Sequence, residues 1–427
     1  MKIAYVTLLN PCPSGISDWA EELLPYLKDY FDIDTFVPFS PSDVANAEMR
    51  RLFKIYSIDD YPSMHENYDK AIFQAGNNTL HKKIMDCFLQ FGGILELHDI
   101  AMHHYLVATE FTNDKERYLD ILRYCHGNNA VNEAKRFFRG ERNCLWESEA
   151  AKFPAIKHFV DRADSVIVHS ETAKQIVKGI APEKDVTVIS LHCAEISNAP
   201  LEDYKASRTA LGIHDDEIAI VSLGFATPAK RITSILKQLS NLRKFTRKKF
   251  TYYIVGENHI PELKKMIADL LLQDYVCVTG KVSLETFNLY CKAGDLYFNL
   301  RYPTMYESSA SLLRLIGYGK RAVVTDIGSF HDFPDEYVYK IRYGTHEEAD
   351  ILRVLLRFFK DYNGFSEEES LRITSYAREN FSLDLIAKSY FEYLSENKQK
   401  DSYMDRLLDL VMQFHPYEQN IVEKMIG

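Results

Sequence analysis

Residues 296–320 read LYFNLRYPTMYESSASLLRLIGYGK, and they decide how the rest of the chain is read. LYFNL is an apolar, aromatic run of strand length. Arg301 falls at its carboxyl end, Pro303 breaks it, and SSASLLRLIGYG then shows the apolar spacing of an amphipathic helix closed by Gly319. A strand, a turn and a helix in that order form one unit of a doubly wound parallel sheet, where ligands bind beyond the carboxyl ends of the strands. Ser308, Ser309, Ala310 and Ser311 are small and leave the first amides of the helix uncovered, a setting that receives an anion. Glu307, just ahead of them, reads as the N-cap of that helix. A carboxylate beside an anion site also favours a ligand that carries hydroxyls as well as phosphate.

The same unit recurs along the whole chain. KIAYVTLL is followed by SDWAEELLPYLKDY, AIFQAG by LHKKIMDCFLQF, GILELHD by a long polar-aromatic helical stretch, and DSVIVHS by ETAKQIVKGI. The alternation lapses over ISNAPLEDYKASR (196–208). It resumes with EIAIVSLG and ITSILKQLSNLRK, FTYYIVGE and IPELKKMIADLLLQ, VCVTG and SLETFNLYCKAG, then the opening unit and KRAVVTD. The fold class expected is α/β, with two Rossmann-like domains built on parallel sheets. The expected limits are 1–200 and 201–383, with a helical segment, 384–427, that includes LLDLVMQF. A chain of 427 residues is long enough for two such cores.

Composition narrows the function. Seven cysteines are scattered without a C-x-x-C pair, so neither a disulfide framework nor a structural zinc site is expected, and a cytoplasmic setting fits. The apolar start runs into NPCPSG with no A-x-A-like cleavage site. No run approaches the roughly 18 apolar residues of a membrane span. A net charge of −10 gives no footprint for nucleic acid, while RKFTRKKF (243–250) offers a local patch for peripheral contact with a membrane surface.

Two further stretches carry candidate chemistry. Lys230 and Arg231 follow a strand and loop, IAIVSLGFATPA, and open the next helix, where two cations suit a diphosphate. ELHDIAMHH groups His98, Asp99, His103 and His104. Its spacing is not H-E-x-x-H, so His98 reads as a neutral hydrogen-bonding residue at a strand end, and no metal is expected. In PSGISDWAEEL, Gly15 lets a ligand approach backbone at the first strand-to-helix turn. Neither G-x-G-x-x-G nor a Walker A pattern is present.

Together these motifs resemble the family 4 retaining glycosyltransferases, which have the GT-B architecture of two facing Rossmann-like domains. The resemblance covers residues 1 to about 390 and is carried by PSGISDWAEEL, FQAGNNTLHKKI, GGILELHDIAMHHYL, DSVIVHSETAKQI, LGFATPAKRI, YIVGENH, VTGKV and RYPTMYESSASLLRLIGYGKRAVVTDIGSF. It implies a nucleotide-diphosphate sugar as donor, a saccharide, lipid-linked or glycoprotein acceptor, and no cofactor or metal. It also implies that His98 lies by the transferred sugar, Lys230 at the diphosphate and Glu307 at the sugar. Gly15, Gly224, Arg231, Gly256, Glu257, Val282 and Ser308 to Ser311 would complete the donor site. The last helices would return to the N-terminal domain. Two departures stand out: Phe225 occupies the place of an arginine common in the family, for which Arg231 could substitute, and Leu315 the place of a ribose-binding glutamate. A non-catalytic GT-B subunit or chaperone of a glycosylation complex is the alternative, and a nucleotide-sugar epimerase a third reading.

Overall fold

The computed structural model describes residues 1–396. Two wholly parallel sheets form the frame. The first comprises β1 (Lys2–Val6), β2 (Asp32–Val37), β3 (Lys54–Ser57), β4 (Lys70–Ala75), β5 (Ile94–Leu97), β6 (Ser165–Val168) and β7 (Val186–Val188) in the order β3-β2-β1-β4-β5-β6-β7. The second comprises β8 (Glu217–Leu223), β9 (Lys249–Val255), β10 (Val276–Gly280), β11 (Leu296–Asn299), β12 (Ala322–Thr325) and β13 (Val338–Ile341) in the order β10-β9-β8-β11-β12-β13. Strands such as SVIV and LYFN are buried throughout because helices cover both faces of each sheet.

Each order reverses once, between β1 and β4 in the first sheet and between β8 and β11 in the second. Connections that leave such a pair of strands diverge and open a crevice at their carboxyl ends. The loops at the two crevices meet: the Ile100 and Ala101 amides, beyond β5, both donate to the Met305 carbonyl in the loop after β11, at 3.1 and 3.0 Å. Thr172 binds Asp332 across the same divide through its hydroxyl at 2.7 Å and its amide at 3.0 Å.

The lapse in the strand–helix alternation is a helix, Pro200–Leu211, started by its proline and ended by left-handed Gly212. Helix Leu383–Glu396 returns to the first sheet. Tyr390 donates its hydroxyl to Glu96 on β5, Tyr393 donates to Ser165 Oγ on β6 at 2.6 Å, and Phe391 stacks on Tyr30. The expected helix over LLDLVMQF lies outside the described residues.

Candidate active site

On the second sheet the backbone itself shapes the site. Gly224 follows β8 with φ 81°, and a Cβ there would lie 2.8 Å from Lys230 Nζ. Gly256 follows β9 with φ 140°, and its Cβ would meet the Gly224 carbonyl oxygen at 2.5 Å. Two glycines therefore let these loops stack and let Lys230 fold beneath the first of them. Lys230 is 9% exposed and donates to the Leu223 carbonyl. Burial, with Arg301 nearby, lowers its pKa to about 7. A bound diphosphate would return a counter-charge to this ammonium.

The second cation is not the one expected from sequence. Arg231 has a left-handed backbone, φ 59°, and its Nε reaches both carboxylate oxygens of buried Glu347, at 3.0 and 2.8 Å. Arg301, from the end of β11, stands at the site instead. Its Nε lies 2.8 Å from Glu307 Oε1, close as an ion pair but misaligned as a hydrogen bond, so the N–H keeps no acceptor. Phe225 is 61% exposed and packs edge-on against His259.

Glu307 is not the helix cap. Its Oε2 accepts from the Thr304 hydroxyl at 2.9 Å and the Met305 amide at 2.8 Å, which curls the side chain back over its own loop. The cap of helix Ala310–Gly317 is Ser309, whose Oγ accepts from the Leu312 amide at 3.2 Å and from Asn299 Nδ2 at 2.9 Å. A serine does this better because its short side chain reaches back to the third amide while the residue keeps extended backbone. The amides of Ala310 and Ser311 find no partner among the described residues and remain available to an anion. Ser308 Oγ turns to the His169 carbonyl at 3.4 Å, and the Ser311 hydroxyl lies 3.1 Å from that of Ser309. Glu257 fixes the loop after β9 by accepting the Ala226 amide on its carbonyl, and Val282 packs half-buried against the core beyond β10. Leu315 is 1% exposed, inside the apolar core, and faces no ligand space.

The first sheet supplies the opposing wall. Ser14 caps helix Gly15–Leu27, and nothing lies within 4 Å of the place a Gly15 side chain would take, so the turn is open. His98 is half-buried beyond β5, its ring edge-on to Trp19 at 4.9 Å and 4.6 Å from the His169 ring. Its Nε2 bonds to Gln74 Oε1. Burial, with His169 and His81 alongside, drives its pKa well below the usual histidine range and keeps the ring neutral. Asp99 accepts the Asn77 amide at 2.9 Å, and burial together with nearby Glu307 pushes it up to about 6. An interdomain cavity of about 240 Å³ runs beside these groups, lined by His169, Ser308, Ser309, Ser329 and Asp332.

The histidines of ELHDIAMHH separate. His103 is bound between the Phe153 carbonyl and the Tyr118 hydroxyl, and His104 faces Asn77. A different trio, Glu96, His98 and His169, brings ligand-type atoms within 4.8 Å of one another. Glu96 is engaged by Gln74 and Tyr390, and His98 by Gln74, so the three could converge on a cation only by surrendering those bonds. The basic run 243–250 is largely spent on the protein: Arg243 binds the Leu271 carbonyl, Lys248 the Phe359 and Tyr362 carbonyls, and Lys249 pairs with Asp216.

The structure thus gathers Gly224, Lys230, Gly256, Glu307 and the start of helix Ala310–Gly317 on one crevice, and Gly15 and His98 on the other. It adds Arg301, Trp19, Gln74, Glu96 and His169. Gln74 and Glu96 left a trace in the sequence, as polar residues inside the otherwise apolar strands AIFQA and ILEL.

Residues 203–380 match the family model "Glycosyl transferases group 1". The alpha-monoglucosyldiacylglycerol synthase of Streptococcus pneumoniae is 26% identical over 260 residues, 58% of this chain and 57% of that protein. An uncharacterized glycosyltransferase of Methanocaldococcus jannaschii is 24% identical over 232 residues, 54% of this chain and 57% of that protein. The chain therefore spans somewhat more than half the length of the curated relatives it matches. Among solved structures, Anabaena Alr3699/HepE in complex with UDP and glucose superposes with TM-score 0.61 at 14% identity, over 93% of this chain and all of that one. Sucrose-phosphate synthase from Thermosynechococcus elongatus gives 0.63 at 13% identity, over 93% and 98%. At such identities the likeness is one of fold: the GT-B architecture.

Proposed function

We propose that this chain, a member of the glycosyl transferases of group 1, moves a hexose from a nucleotide-diphosphate sugar to a hydroxyl of a saccharide, lipid-linked or glycoprotein acceptor, with retention at the anomeric carbon. The observation that carries the reading is the gathering of Lys230, Arg301 and the free Ala310 and Ser311 amides at one crevice, with Glu307 beside them and His98 on the facing wall. The matched S. pneumoniae protein is named for synthesis on a diacylglycerol lipid, which makes a lipid acceptor one of those to try first.

In this reading the first crevice admits the acceptor and the second holds the donor. Lys230 and the amides take the departing diphosphate, and the unsatisfied Arg301 Nε–H turns to one of its oxygens. Glu307, anchored by Thr304 and Met305, holds a sugar hydroxyl. His98 faces the sugar as a neutral ring. The diphosphate oxygen freed on bond cleavage assists the incoming hydroxyl on the same face of the sugar, so the chain needs to supply position and charge rather than a nucleophile. Cation and amide charge meet the leaving group without a metal ion. No helix among the described residues is long and apolar enough to cross a membrane. A lipid acceptor would be met at the membrane surface from the cytoplasmic side.

The test is a panel of nucleotide sugars in thermal unfolding, since a ligand that binds only the native state raises its apparent stability. A shift with one or more nucleoside diphosphates and their sugars, lost in Lys230→Ala, is expected. No shift with any member would remove the donor assignment.

A further inference from the structure

The hydrogen bonds behind His98 determine which of its two nitrogens carries the proton. Gln74 and Glu96 are directly paired residues of β4 and β5. Glu96 is fully buried, and its two oxygens are spoken for: Tyr390 donates to Oε1 and Gln74 Nε2 donates to Oε2 at 2.5 Å. The second hydrogen on Gln74 Nε2 goes to the Tyr5 hydroxyl at 2.8 Å. Burial raises the Glu96 pKa to about 7; ionised above that pH, the carboxylate only accepts, and it fixes the Gln74 amide with nitrogen toward Glu96 and oxygen toward His98. An amide oxygen also only accepts. His98 must then carry its proton on Nε2, and since the ring is neutral, Nδ1 is a bare acceptor. Nδ1 has no partner among the described residues.

We infer that the buried relay from Tyr390 through Glu96 and Gln74 holds His98 in the Nε2–H tautomer, so that it presents an acceptor to the transferred group and selects a hydroxyl-bearing sugar over a carboxylate-bearing one. The inference rests on the proposed donor site only for its last clause. A sugar hydroxyl donates to Nδ1. A uronate carboxylate has no proton to give and meets a lone pair instead. Glu96, Gln74 and Tyr390 are positioning residues: they act through His98, and Tyr390 brings the returning C-terminal helix into the relay.

Glu96→Gln reverses the relay. The new side chain keeps its oxygen toward Tyr390 and turns its amide nitrogen toward Gln74. Gln74 must flip to accept from it, and its own nitrogen then faces His98, which moves the imidazole proton to Nδ1. Gln74→Glu keeps an oxygen opposite His98, with one proton shared between residues 74 and 96, and leaves the tautomer as it was.

The experiment is a long-range 1H–15N correlation spectrum of histidine-labelled full chain at pH 8, with His98 assigned from a His98→Gln variant. The expected result is Nε2–H in the wild type and in Gln74→Glu, and Nδ1–H in Glu96→Gln. Alongside it, the ratio of turnover with UDP-glucose to that with UDP-glucuronate falls at least tenfold in Glu96→Gln. Nδ1–H in the wild type, an unchanged tautomer in Glu96→Gln, or a changed one in Gln74→Glu would overturn the inference. The wild-type spectrum, assigned with His98→Gln, decides the tautomer without any change to the relay, so the inference stays testable even where a Glu96→Gln chain fails to fold. Correct tautomers with neither these two nor any other nucleotide sugar of the panel turned over would refute the donor reading and leave the relay intact.

Discussion

Arg301 Nε lies 2.8 Å from Glu307 Oε1, while Arg231, adjacent to Lys230 in sequence, is bound by Glu347. The two arginines should therefore fail in different ways. Arg301→Ala is expected to lower turnover about 10²- to 10³-fold with little change in thermal midpoint, as for loss of one preorganised donor. Arg231→Ala strands a buried carboxylate and should lower stability by about 1.5–3 kcal/mol while the folded chain retains most of the proposed turnover. Steady-state rates and denaturant unfolding on both variants check the contrast, and the opposite pattern would restore Arg231 to the donor site.

Lys230→Ala and Glu307→Gln should each cut turnover far more than folding stability, the lysine by about 2–4 kcal/mol of transition-state stabilisation. Among the described residues Lys230 has only the Leu223 carbonyl to lose, and Glu307 holds the Thr304 hydroxyl and Met305 amide of its own loop. Near-normal rates in both variants would sink the site.

Chelation should leave activity largely intact, because in the proposed reaction Lys230, Arg301 and two helix amides would meet the leaving-group charge. Loss with EDTA and rescue by a divalent ion would point instead to the Glu96, His98 and His169 trio.

Lys320 gives a stability prediction remote from chemistry. It is 5% exposed, its charge placed over the rings of Tyr204 and Phe365 at 4.6 and 4.5 Å, and burial lowers its pKa from 10.5 to about 7. Between those two values the unfolded chain binds the proton and the folded chain does not, so this group makes stability rise with pH from about 7 to 10.5. Lys320→Met should be more stable than wild type near pH 7, with the advantage narrowing as pH rises. Unfolding midpoints at pH 7 and pH 9.5 measure it, and an equal gap at both would contradict the assignment.

Leu315 bears on the nucleotide. It is locked in the core, where a carboxylate would be buried without a partner, so the ribose finds no charged acceptor at that position. Loss of such an acceptor forfeits roughly 1.5–3 kcal/mol, about ten- to a hundredfold in affinity. Thymidine and uridine diphosphates should accordingly bind within that range of each other, with deoxyuridine diphosphate separating the base methyl from the hydroxyl. A ribose preference above about a hundredfold would mean that another group, such as Ser311, grips the hydroxyl.

Much of the fold was legible from the chain. Apolar runs such as IAIVSL and LYFNL announced central strands, and the strand-to-helix turns announced where the two crevices lie. The strands that escaped notice are short or broken by polar residues. DIDTFV of β2 does not read as a buried strand until Asp34 is seen paired with Lys2 at 3.1 Å and bonded by the Tyr68 hydroxyl. VTV of β7 and VYKI of β13 are sheet edges with half-buried positions. At the site, adjacency misled. Arg231 is next to Lys230 in sequence, but its left-handed backbone sends the guanidinium to Glu347, whereas Arg301 lies near enough to Lys230 to lower its pKa because β8 and β11 pair at the crevice. The Gln74–Glu96 pair is a contact between neighbouring strands, and its register exists only in the folded sheet.

Transfer with retention from a nucleotide-diphosphate sugar can be watched in slow donor hydrolysis, followed by proton NMR on the purified chain, starting from UDP-glucose and extending to other hexose donors. Nucleoside diphosphate should be released with the sugar appearing first as the α anomer, and the reaction should be lost in Lys230→Ala. First appearance of the β anomer, or no consumption of any donor by a folded chain, would overturn the proposed reaction.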